Sequence, residues 1–282
     1  MNDLVLHPVT EKGLQGFLQQ PGQALILVGP AGSGKLALAR SVATTVLDIS
    51  DRLEDYPYKL FITADTSSIG IDEVRKLEHF FSLKVPRRTA YNRAVIIEQA
   101  HRLTLEAQNA LLKMLEEPPA GTVLILTADN QQDLLPTIRS RAPAVAVKPP
   151  GRERLEAFFA ADHDATAITR AFAVSGGLPG LMQALLDETD HPLLLATEKA
   201  RQLLGQTTYE RLLSVDELSK QRQLAQDVTF ILQQMAHVSL QTAPPDKARR
   251  WQTVLSASYD AAQALAGNAQ PKLVLTDLML SL

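Results

Sequence analysis

Apolar residues follow two different rhythms along this chain. Up to residue 147, short unbroken apolar runs alternate with segments whose apolar positions recur every three or four residues. The runs are Ala24 to Val28 (ALILV), Lys59 to Ala64 (KLFITA), Arg93 to Ile97 (RAVII), Thr122 to Thr127 (TVLILT) and the shorter Ala144 to Val147. Runs of this kind suit strands covered on both faces. The periodic segments predict helices over Glu11 to Gln20, Lys35 to Ile49, Ile71 to Leu83 and Thr104 to Glu116. In the last of these, Leu103, Ala107, Ala110, Leu111, Met114 and Leu115 share a face, and Pro118-Pro119 stops the helix. Strands alternating with helices predict an α/β fold, an open parallel sheet flanked by helices.

Beyond Lys148-Pro149-Pro150-Gly151, which reads as a linker, strand signals vanish. Arg152 to Ala161, Thr166 to Val174 and Leu181 to Asp187 predict a small helical unit with a Gly176-Gly177 break. Longer helices are expected at Leu193 to Leu204, Tyr209 to Gln241, Asp246 to Ala266 and Pro271 to Leu282. The expected domains are therefore 1–148, 149–188 and 189–282. Trp251, the only tryptophan, falls on a helical pattern and reads as a packing residue.

Composition narrows the function classes. The 282 residues carry 28 basic and 31 acidic side chains, a net charge of −3, so no global positive field advertises nucleic acid. A local stretch, Lys84 to Arg93, holds four basic residues but only Tyr91 as an aromatic partner, and reads as a solvated loop. No apolar run reaches the roughly 18 residues of a membrane helix. The opening MNDLVLHPVT lacks a secretory pattern, so a cytoplasmic location without membrane contact is expected. Cysteine is absent, which excludes disulfides and thiolate metal sites. The six histidines form no metal-ligand motif, and no metal site is expected.

The candidate chemistry lies at the end of the first apolar run. Gly29 to Leu36, GPAGSGKL, has the G-x-x-x-x-G-K spacing of a phosphate-binding loop between a strand and a helix. Gly29, Gly32 and Gly34 would let backbone N–H groups curl around an anion, with Lys35 reaching the terminal phosphates. Leu36 stands where a hydroxyl should hold Mg²⁺. The companion position, after Arg93 to Ile97, is altered as well. A hydrolase wants Asp-Glu there, and this chain has Glu98-Gln99. The extra methylene of Glu98 moves its carboxylate by about an ångström, a shift that can cost on the order of 10²-fold in rate. Gln99 cannot act as a base, a loss of about 10²–10⁴-fold. Nucleotide, ATP or ADP, is expected to be held without hydrolysis if it is held at all.

The string NALLKMLEEPP within Thr104 to Pro119, followed by LLPTIRSR at Leu134 to Arg141, resembles bacterial clamp-loader subunits of the AAA+ superfamily, the gamma/tau and delta-prime subunits of DNA polymerase III. SIGIDEVRKL (Ser68 to Leu77) and NAQPKLVLTDLMLSL (Asn268 to Leu282) are similar to segments of the same proteins. The resemblance implies an AAA+ domain, a helical lid and a helical collar that builds a hetero-pentameric ring with gamma/tau-like and delta-like subunits. It also implies action on a sliding clamp and primed DNA. In that family a Ser-Arg-Cys motif presents an arginine to the neighbour's ATP. Ser140-Arg141-Ala142 keeps the arginine, so the resemblance makes Arg141 an arginine finger acting in trans, with Arg139 the local alternative. Relatives carry a four-cysteine zinc module near Ser50 to Tyr58, where this chain has no cysteine, so zinc is not expected. The lid's sensor arginine is replaced, with Leu181 at its place. A degraded site beside a retained Arg141 resembles the delta-prime type best. The alternatives are a divergent gamma-type ATPase that uses Glu98, an archaeal-type clamp-loader small subunit, and a switch that binds nucleotide without turnover.

Overall fold

The computed structural model describes residues 4–50, 52–64, 68–86, 89–267 and 269–282. Met1 to Asp3 of the opening stretch, Asp51, Arg87 and Arg88 of the basic loop, and Asn268 lie outside the described residues. The chain forms two compact units, Met1–Pro149 and Pro150–Leu282.

The first unit is a five-stranded parallel sheet with helices. The strands are β1 (Ala24–Val28), β2 (Lys59–Ile62), β3 (Arg93–Ile97), β4 (Thr122–Ala128) and β5 (Ala144–Ala146), in the order β2-β3-β4-β1-β5. Every residue of β3 and β4 is buried. This is why their sequences are continuous apolar runs rather than alternating ones. The helices are α1 (Pro8–Gln19), α2 (Lys35–Leu47), α3 (Ile71–Ser82), α4 (Leu105–Glu116) and the short α5 (Pro136–Arg139).

Two apolar clusters cover the sheet. One joins α3 and α4 (Val74, Leu77, Leu111, Met114) to Ile26, Val95, Leu124 and Ile138. The other joins α1 and α2 (Leu14, Leu38, Val42) to Leu25, Ile96 and Ile125. Alternate residues of each strand go to opposite clusters, the period-2 geometry of a pleated sheet. The fully buried Thr10 stitches α1 to the sheet edge: its hydroxyl donates to Ala146 O at 2.8 Å and accepts from Lys148 N–H at 3.0 Å.

The second unit is helical: α6 (Arg152–Phe159), α7 (Ala165–Ser175), α8 (Pro179–Asp187), α9 (Leu194–Gly205), α10 (Thr208–Ser219), α11 (Arg222–Thr242), α12 (Pro245–Ala266) and α13 (Pro271–Ser281). Gly176 ends α7 with φ +66°, a left-handed residue of the kind that terminates helices. A Cβ there would lie 2.4 Å from Gln234 Cβ, so the turn packs directly on α11. Asp164 opens α7 by accepting from Thr166 and Ala167 N–H, and Thr207 with Glu210 forms a capping box on α10.

One expected helix is two. Tyr209 to Gln241 breaks at Lys220-Gln221 into α10 and α11. No glycine or proline marks the break. The reason is tertiary: Arg222, the first residue of α11, donates to Leu265 O and Gly267 O at the end of α12. Satisfying those terminal carbonyls fixes the start of α11 against α12 and offsets one turn of continuous helix.

Candidate functional site

The parallel register places the glycine loop. Val28 pairs with Ala128, so the loop's first residue, Gly29, and Asp129 emerge side by side from the carboxyl ends of β1 and β4. This is where open α/β sheets bind ligands. Gly32 (φ +75°) and Gly34 (φ +83°) take left-handed conformations that turn the loop into α2. Gly29 is required by packing, since a Cβ would sit 2.2 Å from Val147 O.

Lys35 is only 8% exposed. Its ammonium donates to Gly29 O and Pro30 O, both at 2.7 Å, and pairs with Asp129 Oδ1 at 2.9 Å. Beside it, the Ser33 hydroxyl is buried with no hydrogen-bond partner among the described residues. Leu36 points its apolar side chain into the cluster formed by α1, α2 and the sheet. Backbone, Ser33 and Lys35 therefore suit a phosphate group, whereas Leu36 supplies no oxygen to a Mg²⁺ ion. Among the described residues no group of three or more His, Cys, Asp or Glu side chains could hold a metal ion.

Glu98 follows β3, with its N–H held by Ile62 O at 2.8 Å. Burial pushes its carboxyl above the ordinary carboxylate range, opposed by the positive charges of Arg40, Lys35 and Arg102. The structure thus brings Glu98 and Lys35 into one electrostatic neighbourhood. Gln99 takes a left-handed conformation (φ +51°) and donates its backbone N–H to Thr127 Oγ1 at 2.9 Å, tying the end of β3 to β4. His101 lies on the far side of Asp129: its Nδ1 accepts from Asp129 N–H at 3.3 Å, and Nε2 is 3.7 Å from Oδ2. Burial lowers the affinity of His101 for a proton, and Asp129 partly opposes that.

Arg141 stands apart from these groups, just past α5. Leu135 N–H donates to the buried Gln108 Oε1 at 2.8 Å, which fixes the start of α5 to α4. Buried Ile138 and Ala142 then clamp the residues around Arg141 into the core. The Arg141 side chain remains 35% exposed. It donates to Glu116 Oε1 at 2.6 Å and to Thr137 O at 3.0 Å. Arg139, two residues earlier, buries its Nε instead. Leu181 is fully buried within α8, and neither Pro179 nor Gly180 before it carries a charge.

Asp129 and Gln108 have no motif of their own, and Glu116 lies in the NALLKMLEEPP string without a role assigned to it. A lone acid after a strand or at a helix end has no local signature. Asp129 in particular is placed only by the pairing of β4 with β1, which no local pattern announces.

Comparison with known proteins completes the description. The family described as "DNA polymerase III, delta subunit" matches residues 15–151. The DNA polymerase III subunit delta' of Pseudomonas aeruginosa is 33% identical over 191 residues, 60% of this chain and 57% of that protein. The Escherichia coli subunit of the same name is 33% identical over 133 residues, 46% of this chain and 39% of its own. The matches thus span about half the length of these curated relatives. A solved DNA polymerase III gamma subunit-related protein from Thermotoga maritima superposes with a TM-score of 0.54 at 20% identity, covering 96% of this chain and 97% of that one, a likeness of fold. In sequence the chain is thus similar to DNA polymerase III delta' subunits, and in fold to the gamma subunit-related protein.

Proposed function

We propose that this chain is the non-hydrolysing subunit of a replicative clamp loader. It completes a hetero-pentameric ring with gamma/tau-like and delta-like subunits and supplies Arg141 in trans to a neighbour's ATP. Hydrolysis at that neighbour then drives loading of a sliding clamp onto primed DNA. The observation that carries this reading is an asymmetry between two cations: Arg141 is exposed on a rigid mount, while Lys35 is buried against its own loop and Asp129. A guanidinium with free N–H groups suits charge developing on a transferred phosphoryl group.

Residues 149–188 act as the lid and 189–282 as the ring-forming collar. Exposed Tyr209 and Leu213 on α10, with Leu273 and Leu280 on α13, support a contact surface there, because α10 and α13 pack on one another. Leu36 and Gln99 support the absence of turnover in cis.

The test is Arg141→Ala in a loader reconstituted with its partner subunits. DNA-stimulated ATPase falls while the ring still assembles. Unchanged ATPase in an assembled ring overturns the trans role, and steady-state ATP turnover by the isolated chain above background would favour a gamma-type enzyme instead.

A further inference from the structure

The glycine loop holds two features that pull in opposite directions. An ammonium has three N–H donors. Those of Lys35 are accounted for by Gly29 O, Pro30 O and Asp129 Oδ1, all within 2.9 Å. A phosphate reaching for Lys35 meets the Asp129 carboxylate first, and the two anions repel. Yet the loop has not closed up around that pair. The Ser33 hydroxyl, 5% exposed, has no partner among the described residues, and a buried hydroxyl without one is costly. Gly32 and Gly34 keep the left-handed turns that direct backbone N–H groups around an anion.

We infer that Asp129 is an internal substitute for phosphate, and that the loop is a polyphosphate site sealed by the Asp129 carboxylate on Lys35. The ligand class is a polyphosphate ester or pyrophosphate taken without metal, because Leu36 packs into the core and offers Mg²⁺ no oxygen. Asp129 is 39% exposed, so the seal lies at the mouth of the site and not in the core. The register of β1 and β4 sets it in place, since Gly29 and Asp129 follow the paired Val28 and Ala128.

This inference rests on the reading of the site as non-hydrolysing. It is tested without turnover, so it can fail while the role of Arg141 stands, and the reverse also holds. The experiment is calorimetric titration of the full chain with ADP and with inorganic pyrophosphate, each with Mg²⁺ and with chelator. Asp129→Asn removes the charge at nearly constant shape. Asp129→Ala guards against the amide re-forming the contact. Both variants bind at least tenfold more tightly than the parent chain, equally well in chelator, and adding Lys35→Ala cancels the gain. A gain with ADP alone supports the seal and narrows the ligand to nucleotides. Equal affinity in parent and variants, binding in none of them, or a gain that survives Lys35→Ala overturns it.

Discussion

Lys35 and Arg141 are the two cations best placed to meet a nucleotide, and the fold treats them oppositely. Lys35 is buried, and each of its donors is turned toward its own chain. The Arg141 side chain keeps about a third of its surface exposed while donating to Glu116, Thr137 O and Ser140 Oγ. Nucleotide chemistry needs donors that are free before the phosphate arrives and fixed once it has. By that standard the Lys35 ammonium is occupied by its own chain, whereas Arg141 keeps N–H groups outside its contacts.

The largest effect should come from breaking the exposed side of this contrast. At the ATP site facing Arg141, Arg141→Ala lowers hydrolysis by about 10³-fold or more, and total turnover falls to the share carried by the loader's other sites. Single-turnover ATP hydrolysis by the reconstituted ring measures it. On the buried side, Gly29→Ala forces a methyl against Val147 O and destabilises the chain by ~1–3 kcal/mol. Urea denaturation of the full chain reads this directly, and an unchanged midpoint would show that β5 yields more easily than the packing implies.

Glu116→Gln is smaller. The pair is exposed on both sides, so its contribution to stability is about 0–1 kcal/mol. Its loss should lower the loader's ATPase by less than Arg141→Ala does. A drop as large as that of Arg141→Ala would mean that Glu116, and not the backbone mount, fixes the guanidinium.

The smallest effect is a pH dependence. Burial lowers the proton affinity of both His101 and His191 below the usual value of 6.5. Each is therefore favoured neutral in the folded chain. As pH falls below about 6.5, the unfolded chain takes up protons first, so stability is full above that value and declines below it. The melting temperature should fall between pH 7.5 and 5.5, and His101→Gln should make the decline shallower. An identical slope would assign the loss to other groups.

The first unit was readable in sequence because its strands are buried on both faces. Ala24–Val28 and Arg93–Ile97 begin and end where their apolar runs do, and β4 extends only one residue further, to Ala128. The glycine loop was equally plain, since its backbone conformations demand particular residues. What escaped depended on contacts between distant segments. The corner between α10 and α11 is set by Arg222 reaching residues 265 and 267, and no local breaker announces it. Gln108 looked like one polar residue on an amphipathic helix, yet it positions the segment that carries Arg141. Asp129 became visible only once β4 was known to lie beside β1 in register.

The packing of Leu36 has a consequence for reversibility. Once a catalytic position is enlisted by the core, activity and stability no longer vary independently there. Returning an oxygen to that position would remove apolar packing that Leu36 makes against the cluster of α1, α2 and the sheet. On the proposed reading it would restore no hydrolysis while Glu98 and Gln99 remain. The first step back therefore carries only a penalty, and the site behaves as a ratchet.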